Sequence, residues 1–179
     1  MRILVIRHAK TIYNEKELIN GSIDDDSLSA AGIAQIPQII ESIKKYTFTE
    51  LYSSTMVRSI DTAKPIAEYF HVPLLEDARL VEVDLGSFNG QPWESTTPIF
   101  GLNSSGLLSS CEYDFSPYGG ESAEDTRVRL TSFVNDLKQK PTSKPLIVCH
   151  GGIMRWFYFL STGDKSGRIP NGTVFELEI

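Results

Sequence analysis

The chain has 179 residues, 41% of them apolar and 22% charged, with a net charge of −6 at pH 7. That length fits one well-buried domain, residues 1–179, and leaves little room for a second; the acidic balance excludes a general nucleic-acid binder, which needs a basic face to neutralise phosphates. Neither Cys111 nor Cys149 has a metal-type spacing partner, and no stretch reaches the length of a membrane span or a signal h-region, so a cytoplasmic protein is expected.

The first element is Ile3-Leu4-Val5-Ile6, a short apolar run that ends in Arg7-His8. A second such run, Leu146-Ile147-Val148-Cys149, ends in His150-Gly151-Gly152. Runs of this kind predict strands buried on both faces, as in a parallel sheet with helices on each side. Ligands bind outside the carboxyl ends of such strands. If the two strands are neighbours, two imidazoles and a guanidinium meet at one edge of the sheet.

Between these runs, Thr11 to Ser27 reads as polar loop, and Ser29 is placed to cap a helix carrying Ile33, Ile36, Ile40 and Ile43 on one side, with Pro37 kinking or interrupting it. Thr47 to Tyr52 predicts a second strand. A helix opens at Thr55 and runs through Val57, Ile60, Ala63 and Ala67, which puts Arg58 in its first turn. A short apolar run follows at Val72 to Leu75. Ser122 and Asp125 form a capping-box pattern ahead of Leu130, Phe133, Val134 and Leu137. Ile153 to Leu160 is apolar all round and predicts a buried helix starting at Gly151 or Gly152, and Val174 to Ile179 alternates as an edge strand does. Strands and helices alternate, so the expected fold class is α/β, a three-layer α/β/α sandwich with a largely parallel central sheet.

Phosphoryl transfer needs positive charge and donors aimed at three equatorial oxygens, with a nucleophile and a leaving-group acid roughly in line. Arg7, Arg58 and His150 are candidates for the charge, and a helix N-terminus after His150 adds backbone N–H groups. His8 is the candidate nucleophile, because surrounding arginines disfavour its protonated form. Glu82, in Leu80-Val81-Glu82-Val83-Asp84-Leu85-Gly86, is the candidate proton donor and later the base that activates water.

These residues resemble the motifs of the histidine phosphatase superfamily, also called phosphoglycerate mutase-like. The family's Arg-His-Gly-Glu-Thr signature and following Asn are matched by Arg7-His8-Ala9-Lys10-Thr11 and Asn14. Ser53 to Ala63 resembles its second arginine motif, Leu80 to Gly90 its acid-bearing segment, Val148 to Gly152 its second histidine motif, and Gly119-Gly120-Glu121-Ser122 a recurrent segment. The resemblance implies that His8 carries the phosphoryl group, that Glu82 donates the proton, and that Arg7, Asn14, Arg58 and His150 line the phosphate pocket. Asn20, Gly21 and Gly151 follow as substrate-binding residues, and residues at about 86–120 as a lid. The nearest relatives on this reading are alpha-ribazole phosphatase-like or broad-specificity enzymes. Ala9 and Lys10 depart from the usual glycine and glutamate, and the loop from Gly21 to Ser29 is one residue longer than usual.

Leu80 to Thr126 contains no Lys or Arg, while Glu82, Asp84, Glu94, Glu112, Asp114, Glu121, Glu124 and Asp125 are acidic. An acidic lid repels a substrate with a second anionic group, so the expectation is a phosphomonoester phosphatase with a phosphohistidine intermediate, acting on a small phosphorylated metabolite with a neutral or ring-bearing leaving group. Phe88, Trp93, Phe100, Tyr113, Phe115 and Tyr118 either pack around that group or form the lid's own small core. The alternative is a phosphoglycerate mutase-type phosphotransferase. Two further readings are weaker. One is a non-catalytic phospho-ligand-binding module. The other is a cysteine-dependent phosphatase, since Cys149 to Arg155 fits Cys-x-x-Gly-x-x-Arg. His71 reads as structural and Asp24-Asp25-Asp26 as a solvated loop; no metal or cofactor, and no nucleic-acid or membrane partner, is expected.

Overall fold

The fold is taken from a computed structural model that describes residues 1–22, 26–100, 108, 111–140 and 142–179. A five-stranded sheet runs in the order β3-β2-β4-β1-β5, with β1 Arg2–Arg7, β2 Glu50–Ser53, β3 Leu74–Glu76, β4 Pro145–Cys149 and β5 Val174–Glu178. The first four strands are parallel, and β5 closes one edge antiparallel to β1. The two apolar runs are therefore neighbours at the centre of the sheet. Their register pairs Arg7 with Cys149, so the residues that follow, His8 and His150, leave the sheet side by side.

Helices cover both faces, giving the expected α/β/α sandwich. On one face α2 (Ala30–Ile43) and α3 (Val57–Phe70) bury Ile39, Ile43, Ala63 and Ile66 against Leu4, Ile6, Leu51, Leu146 and Val148. On the other, α5 (Ala123–Lys138) and α6 (Gly151–Thr162) bury Leu130, Phe133, Ile153 and Phe157 against Ile3, Val5, Tyr52 and Ile147. Alternate residues of β1 and β4 thus serve opposite cores, as strand geometry requires. The described residues also include two single-turn α-helices, α1 (Ile12–Glu15) and α4 (Thr97–Phe100).

Four local expectations need correction. The polar stretch after β1 contains α1, closed by a capping box in which the Asn14 N–H donates to Thr11 Oγ1 and the Thr11 N–H donates to Asn14 Oδ1. Pro37 lies inside α2 without interrupting it. The buried face of α2 is Gly32, Ile36, Ile39 and Ile43, and Ile33 is 62% exposed. A Cβ at Gly32 would sit 1.9 Å from the Lys10 carbonyl oxygen; the helix packs its glycine against that backbone and turns Ile33 outward. Finally, α6 is buried only from Gly151 to Phe157, and Leu160 faces solvent. The Ser122–Asp125 capping box forms as the pattern predicts.

Candidate active site

The site lies at the carboxyl ends of β1 and β4, where the strand order places the crevice of an open α/β sheet. The rings of His8 and His150 face each other with centroids 5.1 Å apart and planes tilted by 58°. His8 is held by its own backbone: its N–H donates to the Cys149 carbonyl at 2.8 Å, and Nδ1 lies 2.7 Å from the Ala9 carbonyl oxygen. A carbonyl can only accept, so Nδ1 carries the ring hydrogen and Nε2 keeps a lone pair. Burial, followed by the nearby Arg58 and Arg7, pushes His8 well below the ordinary histidine range. His150 is lowered in the same way, by burial first and then by Arg58 and His8, and neither of its ring nitrogens has a protein partner.

The arginines arrive from two elements. Arg7 ends β1; its Nη1 donates to the Ile169 carbonyl at 2.5 Å, and its guanidinium lies across the start of α6, about where a Cβ on Gly151 would meet it at 3.3 Å. Burial pulls Arg7 down to about 10, with Glu82 opposing and Arg155 and Arg168 adding to the fall, so it stays cationic at neutral pH. Arg58 sits in the first turn of α3 and is fully buried, with Nη2 donating to the Gly21 carbonyl at 2.7 Å. Gly21 adopts φ +59°, and a side chain there would collide with Asn89, so this turn must be glycine.

Glu82 reaches the same cavity. Its Oε2 accepts from the Gly152 N–H at 3.0 Å, and its Oε1 accepts from the Val83 N–H at 2.9 Å. The N-terminal turn of α6 therefore holds the carboxylate, as its dipole favours. The segment bearing Glu82 is anchored from α5: Arg129 grips Glu121 through Nε and Nη2, Arg129 Nη1 donates to the Arg79 carbonyl, and Glu121 Oε1 accepts from the Asp84 N–H. The Gly119 to Ser122 segment thus braces the strip that carries the acid.

The site residues expected from the sequence gather around two adjoining cavities that share Arg7, Asn14 and Glu82: Gly151 lines the first, His8, Asn20, Gly21 and Arg58 line the second, and His150 lines neither but keeps its ring 5.1 Å from that of His8. The Ala9 departure is absorbed, because its methyl enters the α2–α3 core while its N–H donates to Thr62 Oγ1. Asp24 and Asp25 lie outside the described residues; Asp26 accepts from the Tyr13 N–H.

The sequence reading did not pick out Asn171, Arg155 or Arg168 as site residues. Asn171 Nδ2 donates to the His8 carbonyl and to Asn14 Oδ1, tying the loop before β5 to the end of β1. Arg155 and Arg168 line the cavity beside Arg7, Trp93, Glu17 and Glu94.

The aromatics between Phe88 and Tyr118 divide. Phe88, Tyr113 and Phe115 join the main core beneath α5 and α6, while Trp93 lines the cavity; the Phe100 side chain lies outside the described residues. The acids between Glu82 and Asp125 divide too. Glu121 pairs with Arg129, Glu124 with Arg127 and Glu112 with Lys165, Asp125 caps α5, and Asp84 accepts from Gly86 and Asn89. Only Glu82 and Glu94 of that group reach the cavity. The expectation that the acids of this segment repel a second anionic group therefore fails: four arginines stand against three carboxylates around the two cavities.

Cys149 is fully buried in the α5–α6 core, and burial, reinforced by Glu82, pushes its thiol well above the ordinary range. A buried neutral thiol that does not reach the cavity cannot act as the thiolate nucleophile.

The sequence matches the histidine phosphatase superfamily (branch 1) over residues 3–177. The chain belongs to that family. Its relatives include a putative phosphoserine phosphatase 2 of Hydrogenobacter thermophilus, 31% identical over 166 residues and spanning 90% of this chain and 79% of that one. Another is a probable phosphoglycerate mutase GpmB of Yersinia enterocolitica, 28% identical over 84% of this chain and 70% of that one. Among solved structures, the alpha-ribazole phosphatase of Shigella flexneri superposes with a TM-score of 0.81 at 21% identity, covering 100% and 91% of the two chains. A mycobacterial glucosyl-3-phosphoglycerate phosphatase superposes with a TM-score of 0.82 at 24% identity, covering 99% and 90%. Family and relatives together make this histidine phosphatase a phosphoric monoester hydrolase. Among the described residues no helix is long and apolar enough to cross a membrane.

Proposed function

We propose that this histidine phosphatase hydrolyses small phosphomonoesters, with His8 as nucleophile and Glu82 as proton donor. Arg7, Arg58 and His150 hold the phosphoryl oxygens, and Asn14, Asn20, Gly21 and Gly151 shape the wall around them. The observation that carries this reading is the His8 Nδ1 to Ala9 carbonyl contact, which leaves Nε2 unprotonated within a cluster of cationic donors.

In the first step Nε2 forms a bond to phosphorus as the phosphorus–oxygen ester bond breaks, and Glu82 delivers its proton to the departing oxygen. In the second, Glu82 takes a proton from water, the hydroxyl attacks phosphorus, the phosphorus–nitrogen bond breaks and inorganic phosphate leaves. The exposed rim residues Glu17, Glu94 and Arg168 give water a route to the intermediate. Residues at about 86–120 act as the lid, with Trp93, Glu94 and Leu108 over the cavity. A volume of about 120 Å³ is well below the ~300–1,000 Å³ of drug-sized ligand sites, which favours a small metabolite over a nucleic-acid strand. Two buried free cysteines suit a cytoplasmic setting.

The test is inorganic phosphate release from a panel of phosphomonoesters, compared with interconversion of phosphoglycerates. Release that is lost in His8→Ala supports the proposal. Faster interconversion than release would make the protein a mutase, and release equal to that of His8→Ala would make it a binding module.

A further inference from the structure

We infer that Gln35 and Thr62, which line neither cavity, are positioning residues: they clamp the two peptide units flanking Ala9 and so set which nitrogen of the His8 ring carries the hydrogen. The effect on turnover rests on the proposed function above.

A neutral imidazole can keep its hydrogen on either nitrogen, and only the form with a bare Nε2 can attack phosphorus here. With its proton affinity depressed by burial and by Arg58 and Arg7, the His8 ring is neutral near pH 7. The Ala9 carbonyl selects between the two forms by accepting from His8 Nδ1 at 2.7 Å. That carbonyl shares one planar peptide unit with the Lys10 N–H, and the two point in opposite directions. The Lys10 N–H donates to Gln35 Oε1 at 2.8 Å, so the side-chain amide on α2 aims the carbonyl at the ring. A backbone N–H only donates, which identifies the Gln35 atom facing it as the oxygen. Gln35 Nε2 reaches the Asn171 carbonyl only at 3.5 Å, so the oxygen makes the stronger of the two contacts.

The preceding peptide unit is held as firmly. The Ala9 N–H donates to Thr62 Oγ1 at 2.9 Å, and that hydroxyl passes its own hydrogen to the Arg58 carbonyl at 2.8 Å, one turn back along α3. Thr62 therefore meets Ala9 with a lone pair, and one hydroxyl links the nucleophile's segment to the turn that bears Arg58. At the other end of the unit the His8 carbonyl accepts from Asn171 Nδ2 at 3.0 Å. All four polar groups of the two units have partners, which leaves Ala9 little freedom to swing its carbonyl off the ring.

The sequence of α2 brings Gln35 this close. Ser29, Gly32 and Gln35 stand three residues apart and face the same strip of chain. The Ser29 N–H donates to the Lys10 carbonyl at 2.9 Å, and Gly32 rests on that carbonyl where any Cβ would collide. A side chain at Gly32 would lift the helix and carry Gln35 Oε1 out of reach of Lys10.

Isotope-edited NMR of the imidazole nitrogens near neutral pH reads the tautomer directly. The chain has three histidines, and His8→Ala assigns the His8 signals. The wild type is expected to show a protonated Nδ1 and a bare Nε2. Gln35→Met, which keeps the length but removes the acceptor, should move part of the hydrogen to Nε2 and lower kcat for a phosphomonoester by about 10-fold, the weight of one buried hydrogen bond. KM should change little, because Arg7 and Arg58 still hold the phosphoryl oxygens. Gln35→Glu keeps an acceptor oxygen while giving up the Nε2 donor, and should retain both the tautomer and kcat. Thr62→Val and Thr62→Ser form the parallel pair of loss and rescue; Gln35 is half-buried, so its variants stay informative if Thr62→Val does not fold. A tautomer lost in Gln35→Met with no turnover by the wild type would sink the hydrolase reading and leave the clamp standing. An unchanged tautomer in Gln35→Met, a Gln35→Glu as impaired as Gln35→Met, or a Thr62→Val that behaves as Thr62→Ser does would overturn the clamp.

Discussion

The Gly152 N–H donates to Glu82 Oε2 at 3.0 Å, joining the candidate acid to the helix that follows the second histidine. The fit is close: a Cβ at Gly152 would stand 2.4 Å from Glu82 Oε1 and 2.9 Å from Val83 Cγ2. Gly152→Ala must therefore displace the carboxylate. Misplacing a catalytic group by about 1 Å costs up to ~100-fold, so kcat/KM should fall by about 10- to 100-fold with little change in thermal midpoint. Gly151→Ala, whose Cβ would meet only the flexible Arg7 guanidinium at 3.3 Å, should cost less. Steady-state kinetics on both variants checks the order.

Acid should unfold this protein early. His8 and His150 both have folded values well below the ordinary range, with burial the leading cause. A base whose folded value is depressed binds its proton more readily when unfolded, so stability falls as pH drops below the unfolded value near 6.5. With two such groups the slope should approach 1–3 kcal/mol per pH unit between about pH 6.5 and 5. Thermal melts across that range should show it, and His150→Gln should flatten it. Inorganic phosphate should raise the melting temperature most at the acid end, because an anion favours the protonated rings.

Cys149 should be inert in the native state. Its thiol is fully buried and held above the ordinary range, so a thiol alkylator should modify it only in denaturant. Phosphatase activity should survive native treatment. Loss of activity that tracks alkylation of Cys149 would favour the cysteine route instead.

Much of the site was legible because its chemistry sits at strand ends. Two β-branched apolar runs each stop at a histidine, and sheet topology does the rest by pairing Arg7 with Cys149. Arg155 left a signal, a charge inside an otherwise apolar helix, but spacing alone cannot say whether it faces solvent or a cavity. Asn171 hides in Pro170-Asn171-Gly172, which reads as an ordinary turn. The acids between Glu82 and Asp125 misled for a related reason: sequence counts carboxylates, and only the fold shows Glu121, Glu124 and Glu112 turned into ion pairs. The α2 face was legible at Ile36 and Ile43 but off by one at Ile33 and Ile40, where Gly32 packs directly on the Lys10 carbonyl, a contact between distant backbones that no helical period records.

The central claim is that phosphorus passes through His8. A radiolabelled phosphomonoester mixed with the protein and quenched during turnover should leave phosphate on the chain that is acid-labile and alkali-stable, mapped to His8 and absent in His8→Ala. Turnover with no trapped phosphate at His8, or with label on another side chain, would contradict the account.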